Sequence, residues 1–330
     1  MTGAPAPGTG HAPEVVVHGE AMLLLLAEHG VPLEHAVAFR RSVAGAESNV
    51  ATGLSRLGHR TRWLGGVGDD PAGSAVLAQL RSDGIDTSHA VVDPSAPTGL
   101  LLRDSHPARA IDVQYHRTGS AASRPTGGEL SAAAVRGARL VHVTGITAML
   151  SDSAYETVLR LLEPARETGA AVSFDPNVRL KLGSPERWRT VVGPLLAHAD
   201  LVLAGEDELE LLSRGQDPER TADQLLAAGV RTVVVKHRDK SATCRTAQGR
   251  WRQPAFRVPV TDPVGAGDAF AAGLHSGWLL GRTYEQSLAE AAAVAALVVQ
   301  CAADIDGLPD RRRLDRALAA FTGDVETVHR

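Results

Sequence analysis

The chain has 330 residues, 44% of them hydrophobic, and a formal net charge of −4 with both signs mixed along its length. That is enough apolar mass for one large domain with at most a small appendage. Without a basic stripe or tail, a nucleic-acid or membrane-surface partner is not expected. Cys244 and Cys301 lie far apart without metal-ligand spacing, so a reduced, cytoplasmic protein without disulfides is expected.

In chain order, Met1 to Pro13 is rich in Gly, Ala and Pro and lacks a positively charged region. It reads as a disordered tail rather than a signal peptide, and residues 14–330 read as the folded domain. Val15 to His18 reads as a strand ending at Gly19-Glu20. The apolar run Ala21 to Ala27 that follows is far shorter than the ~20 residues needed to span a bilayer. His35 to Ala44 and Thr98 to Arg117 read as strands and a hairpin turning at Asp104 to Ala108, neither followed by a helix. Leu140 to Val143, Ala171 to Phe174, Leu201 to Leu203 and Thr232 to Val235 are short apolar runs, each ending in polar or glycine residues ahead of a helical stretch.

Continuous apolar strands alternating with helices predict an α/β fold whose parallel sheet is covered on both faces. In such sheets ligands bind beyond the carboxyl ends of the strands. Here those ends carry Glu20, Asn177, Glu208 and Lys236. Any one of them alone reads more readily as a polar strand terminus; the succession of strands points to a shared crevice. The segments about 35–44 and 98–118 are expected to form a small separate sheet over that crevice, a lid. Its open edges would be covered by pairing with a second copy of the chain, a homo-oligomer.

The most informative stretch is Thr261-Asp262-Pro263-Val264-Gly265-Ala266-Gly267-Asp268-Ala269-Phe270. Phe270, Leu274 and Trp278 follow at helical spacing and Gly281 is a C-cap candidate, so a glycine loop opens directly into a helix. The backbone N–H groups of Gly265, Ala266 and Gly267 would face a developing anion, aided by the helix dipole. Asp268 is then a carboxylate beside a phosphate site, suited to take a proton from an attacking hydroxyl. Taken alone, it also reads as a carboxylate that merely complements the dipole.

No Gly-x-x-x-x-Gly-Lys-Ser/Thr loop is present, and Pro71 stands where a dinucleotide loop needs its third glycine. The stretch from Asp262 to Phe270 resembles the second signature of the ribokinase-like, PfkB-type carbohydrate kinases. Gly45-Ala46-Glu47-Ser48-Asn49-Val50-Ala51, Leu57-Gly58 and Gly65-Gly66-Val67-Gly68-Asp69-Asp70 resemble the first. The resemblance runs over roughly residues 14 to 320. It implies a three-layer α/β/α fold with a central, mostly parallel sheet and a small β-sheet lid. It also implies ATP with Mg2+, and a sugar or sugar acid as substrate.

By the same resemblance Asp268 is the catalytic base and Gly265, Ala266 and Gly267 form the anion hole. Glu208 arranges Mg2+ indirectly. Glu20, Gly45, Asn49, Tyr115, Arg117, Ile146 and Arg179 contact the substrate. Lys236, Asp262, Gly265, Gly267, Val298, Ala303 and Gly307 serve the nucleotide.

Within the family, Gly19-Glu20, Tyr115-His116-Arg117-Thr118-Gly119-Ser120-Ala121 and Asp175-Pro176-Asn177-Val178-Arg179 resemble the 2-keto-3-deoxygluconate kinases. Two arginines suit a sugar carboxylate, which arginine grips through a planar, charge-assisted fork. Without the resemblance, Arg117 and Arg179 read as solvated charges or ion-pair partners. A kinase for another sugar, such as fructose or another keto-deoxy acid, or a non-catalytic sugar-sensing relative, are the alternatives.

The chain departs from the family pattern at several positions. Arg238 and Ser241 replace loop glycines, Gly205 replaces an asparagine, Ala44 replaces a glycine, and Leu101 replaces a substrate-facing tyrosine. His142 is expected to be a core histidine, Trp63, Trp188 and Trp251 structural, and Arg311, Arg312 and Arg313 solvated.

Overall fold

The computed structural model describes residues 12–106, 110–125 and 132–323. Most of the expected tail lies outside the described residues. Of the expected tail, Pro13 is buried and Ala12 accepts a hydrogen bond from Arg60.

The strands in chain order are β1 (Val15–His18), β2 (Met22–Ala27), β3 (Phe39–Ala44), β4 (Thr61–Leu64), β5 (Gly66–Gly68), β6 (Val91–Asp93) and β7 (Leu100–Arg103). They continue with β8 (Val113–His116), β9 (Leu140–Thr144), β10 (Ala171–Asp175), β11 (Leu201–Gly205), β12 (Thr232–Lys236), β13 (Ala242–Thr246) and β14 (Gly249–Gln253). The helices are α1 (Ala46–Arg56), α2 (Pro71–Ser82), α3 (Ala132–Val135), α4 (Gly145–Leu150), α5 (Asp152–Glu167) and α6 (Pro185–Leu196). After them come α7 (Glu206–Leu212), α8 (Pro218–Ala227), α9 (Ala266–Leu279), α10 (Tyr284–Val298) and α11 (Arg311–Thr322).

The central sheet has the order β14-β13-β12-β11-β10-β9-β1-β4 and is parallel except at the β13 and β14 edge. Successive side chains of its strands go to opposite faces. Val16, Val141, Val143, Val172, Phe174 and Val233 enter one core with Trp188. Val15, Val17, Leu140, Leu203 and Val234 enter the other with Trp63 and Phe270. Two apolar faces per strand explain the uninterrupted runs in the sequence.

A second sheet, β3-β2-β7-β8, stands apart from the first. Both segments expected to build it do so, with β7 and β8 forming the hairpin. Part of the expected turn, residues 107–108, lies outside the described residues. The strand that joins the two segments, β2, was not foreseen. The chain leaves the central sheet at Gly19 and enters the small sheet at Met22, which sets Glu20 at the junction. Nor is β3 without a helix: it runs through Gly45 into α1, and a Cβ at Gly45 would lie 2.2 Å from Glu20 O. Only glycine permits that approach.

His142 is buried at 3.1 Å from Ser173 Oγ, and burial holds it neutral, its pKa pushed down to about 3. Arg311 departs from expectation: it pairs with Glu290 at 2.8 Å and reaches Ser276, because α11 packs on α10. Among the described residues no helix is long and apolar enough to cross a membrane.

Candidate active site

The carboxyl ends of β1, β10, β11 and β12 face the N-terminus of α9, and the small sheet closes the space from above. A cavity of about 740 Å³ results. Its walls bring together Glu20, Gly45, Asn49, Tyr115, Arg117, Ile146 and Arg179 with Asp268 and the Gly265 to Gly267 loop. A second cavity of about 650 Å³ lies alongside. The two share Gly205, Asp207, Lys236, Pro263, Ala266 and Gly267, so the glycine loop is the partition between them.

Asp268 occupies the third position of α9, open to the first cavity and enclosed elsewhere. Its Oδ2 accepts from Asn49 Nδ2 at 2.8 Å and Asn177 Nδ2 stands 3.5 Å from its Oδ1. Burial pushes its pKa up to about 7 against the pull of Asn49 and Arg179, with Asp175 and Asp304 adding repulsion. A carboxylate tuned to neutrality is suited to accept a hydroxyl proton. Gly265, the N-cap of α9, has φ +82°, and a Cβ there would meet Asp304 O at 2.8 Å.

Glu20 is almost wholly buried and ion-paired with Arg117, and accepts from Ser120 Oγ at 3.2 Å. Burial raises its pKa, opposed by Arg117 and Ser120. Arg117 also lies over the Tyr115 ring, 5.3 Å from its centroid. Arg179, by contrast, has no carboxylate within ion-pair distance among the described residues. Its own backbone neighbour, Val178 O, takes one N–H at 3.0 Å. Glu47, part of the first signature but given no role from sequence, also lines this cavity and takes hydroxyls of Thr144 and Thr147 at 2.6 Å each on one oxygen.

The second cavity is an apolar slot. Ala292, Ala295, Ala296 and Val299 form one wall, with Phe256, Val258, Val260 and Phe270 opposite. The wall residues recur at the i, i+3, i+4, i+7 spacing of one helix face. Val298, expected here, points to the core with Leu57 and Ala269. Ala303 packs beneath the small sheet with Met22 and Leu24. Gly307 abuts the end of α10, where a Cβ would sit 2.5 Å from Leu297 O. None of these three lines the slot.

Asp262 does not line either cavity: it is buried, bound to Arg103 at 2.6 Å, and accepts from Val264 N at 2.9 Å. Lys236 does border both cavities and binds Asp175 at 2.8 Å. Burial opposes its charge, but Asp175, Glu208 and Asp268 outweigh it and raise its pKa.

Glu208 Oε2 accepts from Gly205 N at 2.6 Å and Oε1 from Val178 N at 2.8 Å, which locks the turn after β11 to the end of β10. Each oxygen accepts one amide hydrogen and keeps a lone pair for a water or a cation. Among the described residues no group of three His, Cys, Asp or Glu side chains could hold a metal by itself. One carboxylate, such as Glu208, together with waters and substrate phosphate oxygens is the kind of donor set Mg2+ takes.

In the loop from His237 to Ser241, Arg238 reaches Asp207 and Glu210 on α7, and its amide donates to Glu206. His237 N, Lys240 N and Ser241 N donate within the loop. The left-handed position is Lys240, with φ +68°.

The pfkB family carbohydrate kinase profile matches residues 12–311. The chain belongs to the pfkB family of carbohydrate kinases. It is 37% identical over 96% of its length to the 2-dehydro-3-deoxygluconokinase of Bacillus subtilis, 97% of which is covered. It is 33% identical over 93% of its length to the 2-dehydro-3-deoxygluconokinase of Thermoproteus tenax, 94% of which is covered. Among solved structures, a PfkB protein from Polaromonas sp. JS666 superposes with TM-score 0.82 at 36% identity, covering 92% of this chain and 99% of that one. This pfkB kinase is an ATP-dependent sugar kinase with the ribokinase-like fold.

Proposed function

We propose that the protein transfers the γ-phosphoryl group of ATP to the terminal hydroxyl of 2-keto-3-deoxygluconate (2-dehydro-3-deoxygluconate), giving the 6-phosphate. The observation that carries this reading is Arg179, a cation without a carboxylate partner among the described residues, on the wall of the cavity that holds Asp268. A substrate carboxylate completes it, with Arg117 sharing its charge between Glu20 and the ligand. The similarity to two kinases named for this sugar acid supports the same reading.

The residues divide the chemistry as follows. The sugar occupies the first cavity, and the slot of alanines, valines and phenylalanines takes the planar apolar base. Asn49 and Asn177 orient Asp268 toward the substrate hydroxyl. Asp268 removes the hydroxyl proton as the oxygen bonds to phosphorus and the bond to the ADP oxygen breaks. The Gly265 to Gly267 amides and the α9 dipole stabilise charge on the transferring group. Mg2+, when bound with the nucleotide, neutralises phosphate charge, and Glu208 would reach it through water. The small sheet acts as the lid that excludes water. Its free β3 and β8 edges suit pairing with a second copy of the chain. The enzyme would act in the cytoplasm, where ATP is available.

The test is an ADP-coupled assay of 2-keto-3-deoxygluconate, its galactonate epimer, fructose and ribose, with Asp268→Asn alongside. Turnover on the keto-deoxy acid, abolished in the variant, supports the proposal. Turnover only on a neutral sugar overturns the substrate assignment and leaves the kinase.

A further inference from the structure

One buried cation lies outside the roles assigned so far. Arg103, on β7 of the small sheet, is 1% exposed. Its NH1 binds Asp262 Oδ2 at 2.6 Å and its NH2 binds Asp304 Oδ1 at 2.5 Å, partners 159 and 201 positions away in the chain. NH1 also donates to Asp104 O at 2.9 Å. A planar guanidinium is suited to bridging two carboxylates, because its N–H groups diverge at fixed angles.

Both carboxylates bear on the glycine loop. Asp262 Oδ1 accepts from Val264 N, which sets the turn leading into Gly265. The backbone of Asp304 is the surface against which Gly265 rests, 2.8 Å from where a Cβ would stand. Arg103 thus holds the two supports of the loop at one separation. On the same strand Leu101 lines the sugar cavity, and it pairs with Tyr115 of β8, another wall residue. A short strand therefore connects the wall that touches sugar to the supports of the loop that touches phosphate.

We infer that Arg103 is a positioning residue of the phosphoryl transfer, a clamp that sets the Gly265 to Gly267 loop relative to the sugar-contacting face of the small sheet. This rests on the loop being the anion hole of the reaction proposed above. The clamp also balances charge. Asp304 repels negative charge on Asp268, and Arg103 offsets that carboxylate. The other ionisable groups around Asp268 are Arg179, Asp175 and Lys236.

The experiment compares the parent with Arg103→Ala, Arg103→Lys and Asp304→Asn, using whichever sugar the parent phosphorylates fastest, so that a wrong substrate assignment leaves the test standing. Sugar affinity is measured separately by calorimetry, and folding by circular dichroism. Arg103→Ala is expected to lose about 100-fold in kcat, the scale of a misplacement near 1 Å, with sugar affinity changed far less. Added guanidinium ion should restore part of kcat, and the pH at which kcat/KM rises should move alkaline. Asp304→Asn should move it acidic.

If Arg103→Ala does not fold, Arg103→Lys decides. Lysine keeps the charge but cannot fork to both carboxylates, so kcat should fall with the pH limb in place. Unchanged kcat in a folded variant, or parallel loss of kcat and sugar affinity without rescue by guanidinium, would overturn the clamp and leave Arg103 as a structural ion pair.

Discussion

Asn49 Nδ2 donates to Asp268 Oδ2 across 2.8 Å, joining the first turns of α1 and α9, whose residues lie 219 positions apart. The bond favours the ionised carboxylate, while enclosure by the cavity walls disfavours it, and enclosure wins. The Asp268 carboxyl is therefore tuned by a competition between two named causes.

Asp268 has a pKa raised from 3.8 to about 7. In catalysis it works ionised, so kcat/KM should climb through about pH 7. Asp268→Asn should cost about 10²- to 10⁴-fold. In stability the sign is opposite. The contribution of a raised carboxyl is complete below its unfolded value and is lost as pH rises through the folded value. Asp268→Asn should therefore unfold at higher temperature than the parent well above pH 7, the two converging near pH 4. The gap is at most about 4 kcal/mol, reduced because the group opens on the cavity. A flat pH profile of kcat/KM between pH 5 and 9 would count against Asp268 as the base.

Glu20 and Arg117 form a buried pair on the wall of the first cavity. Arg117→Ala leaves Glu20 uncompensated, which typically costs about 3 to 5 kcal/mol. Adding Glu20→Gln should recover most of that stability while leaving sugar binding weak. Thermal melts and calorimetric titration of the single and double variants separate these effects. A double variant as unstable as Arg117→Ala would show that the pair is not the cause.

Arg179→Ala removes a cation without a carboxylate partner among the described residues, so its melting temperature should hardly move. Its KM for a carboxylated sugar should rise at least tenfold, the scale of a charge-assisted pair at about 1.5 to 3 kcal/mol. Activity on neutral sugars should fall far less, by the loss of the Arg179 pull on the ionised Asp268. Equal loss on both would point to Asp268 rather than to a substrate carboxylate.

At Gly265, φ is +82° and Asp304 O leaves no room for a side chain. Gly265→Ala should lower stability by about 1 to 3 kcal/mol through backbone strain and contact. It should also lower kcat more than KM, since the anion-hole amides would turn. Gly267, with open space at its Cβ position, is the control: Gly267→Ala should be better tolerated in folding.

Arg238, about half exposed on the lining of the slot, binds Asp207 and Glu210. Arg238→Gly removes that anchor and supplies the residue the family resemblance carries there. The melting temperature should change little, and KM for ATP should fall if the released loop can turn amides toward phosphate. Steady-state kinetics with varied ATP at high and low salt would show it.

Much of the site was legible because its chemistry is written locally. The run from Asp262 to Phe270 states a glycine turn, a helix start and a carboxylate in nine adjacent residues. The parallel strands announce themselves by being apolar on both faces. Asp268, Asn49, Glu20, Ile146, Tyr115, Arg117 and Arg179 do converge on one cavity. Val298, Ala303 and Gly307 do not line the second cavity, because which face of α10 borders a slot depends on packing, and a shift of one residue turns a side chain by about 100°.

Sequence by itself determined the strand-and-helix alternation, the glycine loop and the carboxylate at the start of the helix that follows it, since these rest on period, backbone freedom and side-chain chemistry within a few residues. Tertiary structure alone decided that Met22–Ala27 is the central strand joining the small sheet and that Arg117 is shared with Glu20. It also decided that Asp262 is buried against Arg103 and lines neither cavity. Each of these is a contact across a large separation in the chain. Such contacts are set by which buried charges and edges must be satisfied once the sheets are assembled, a condition no local stretch of residues contains.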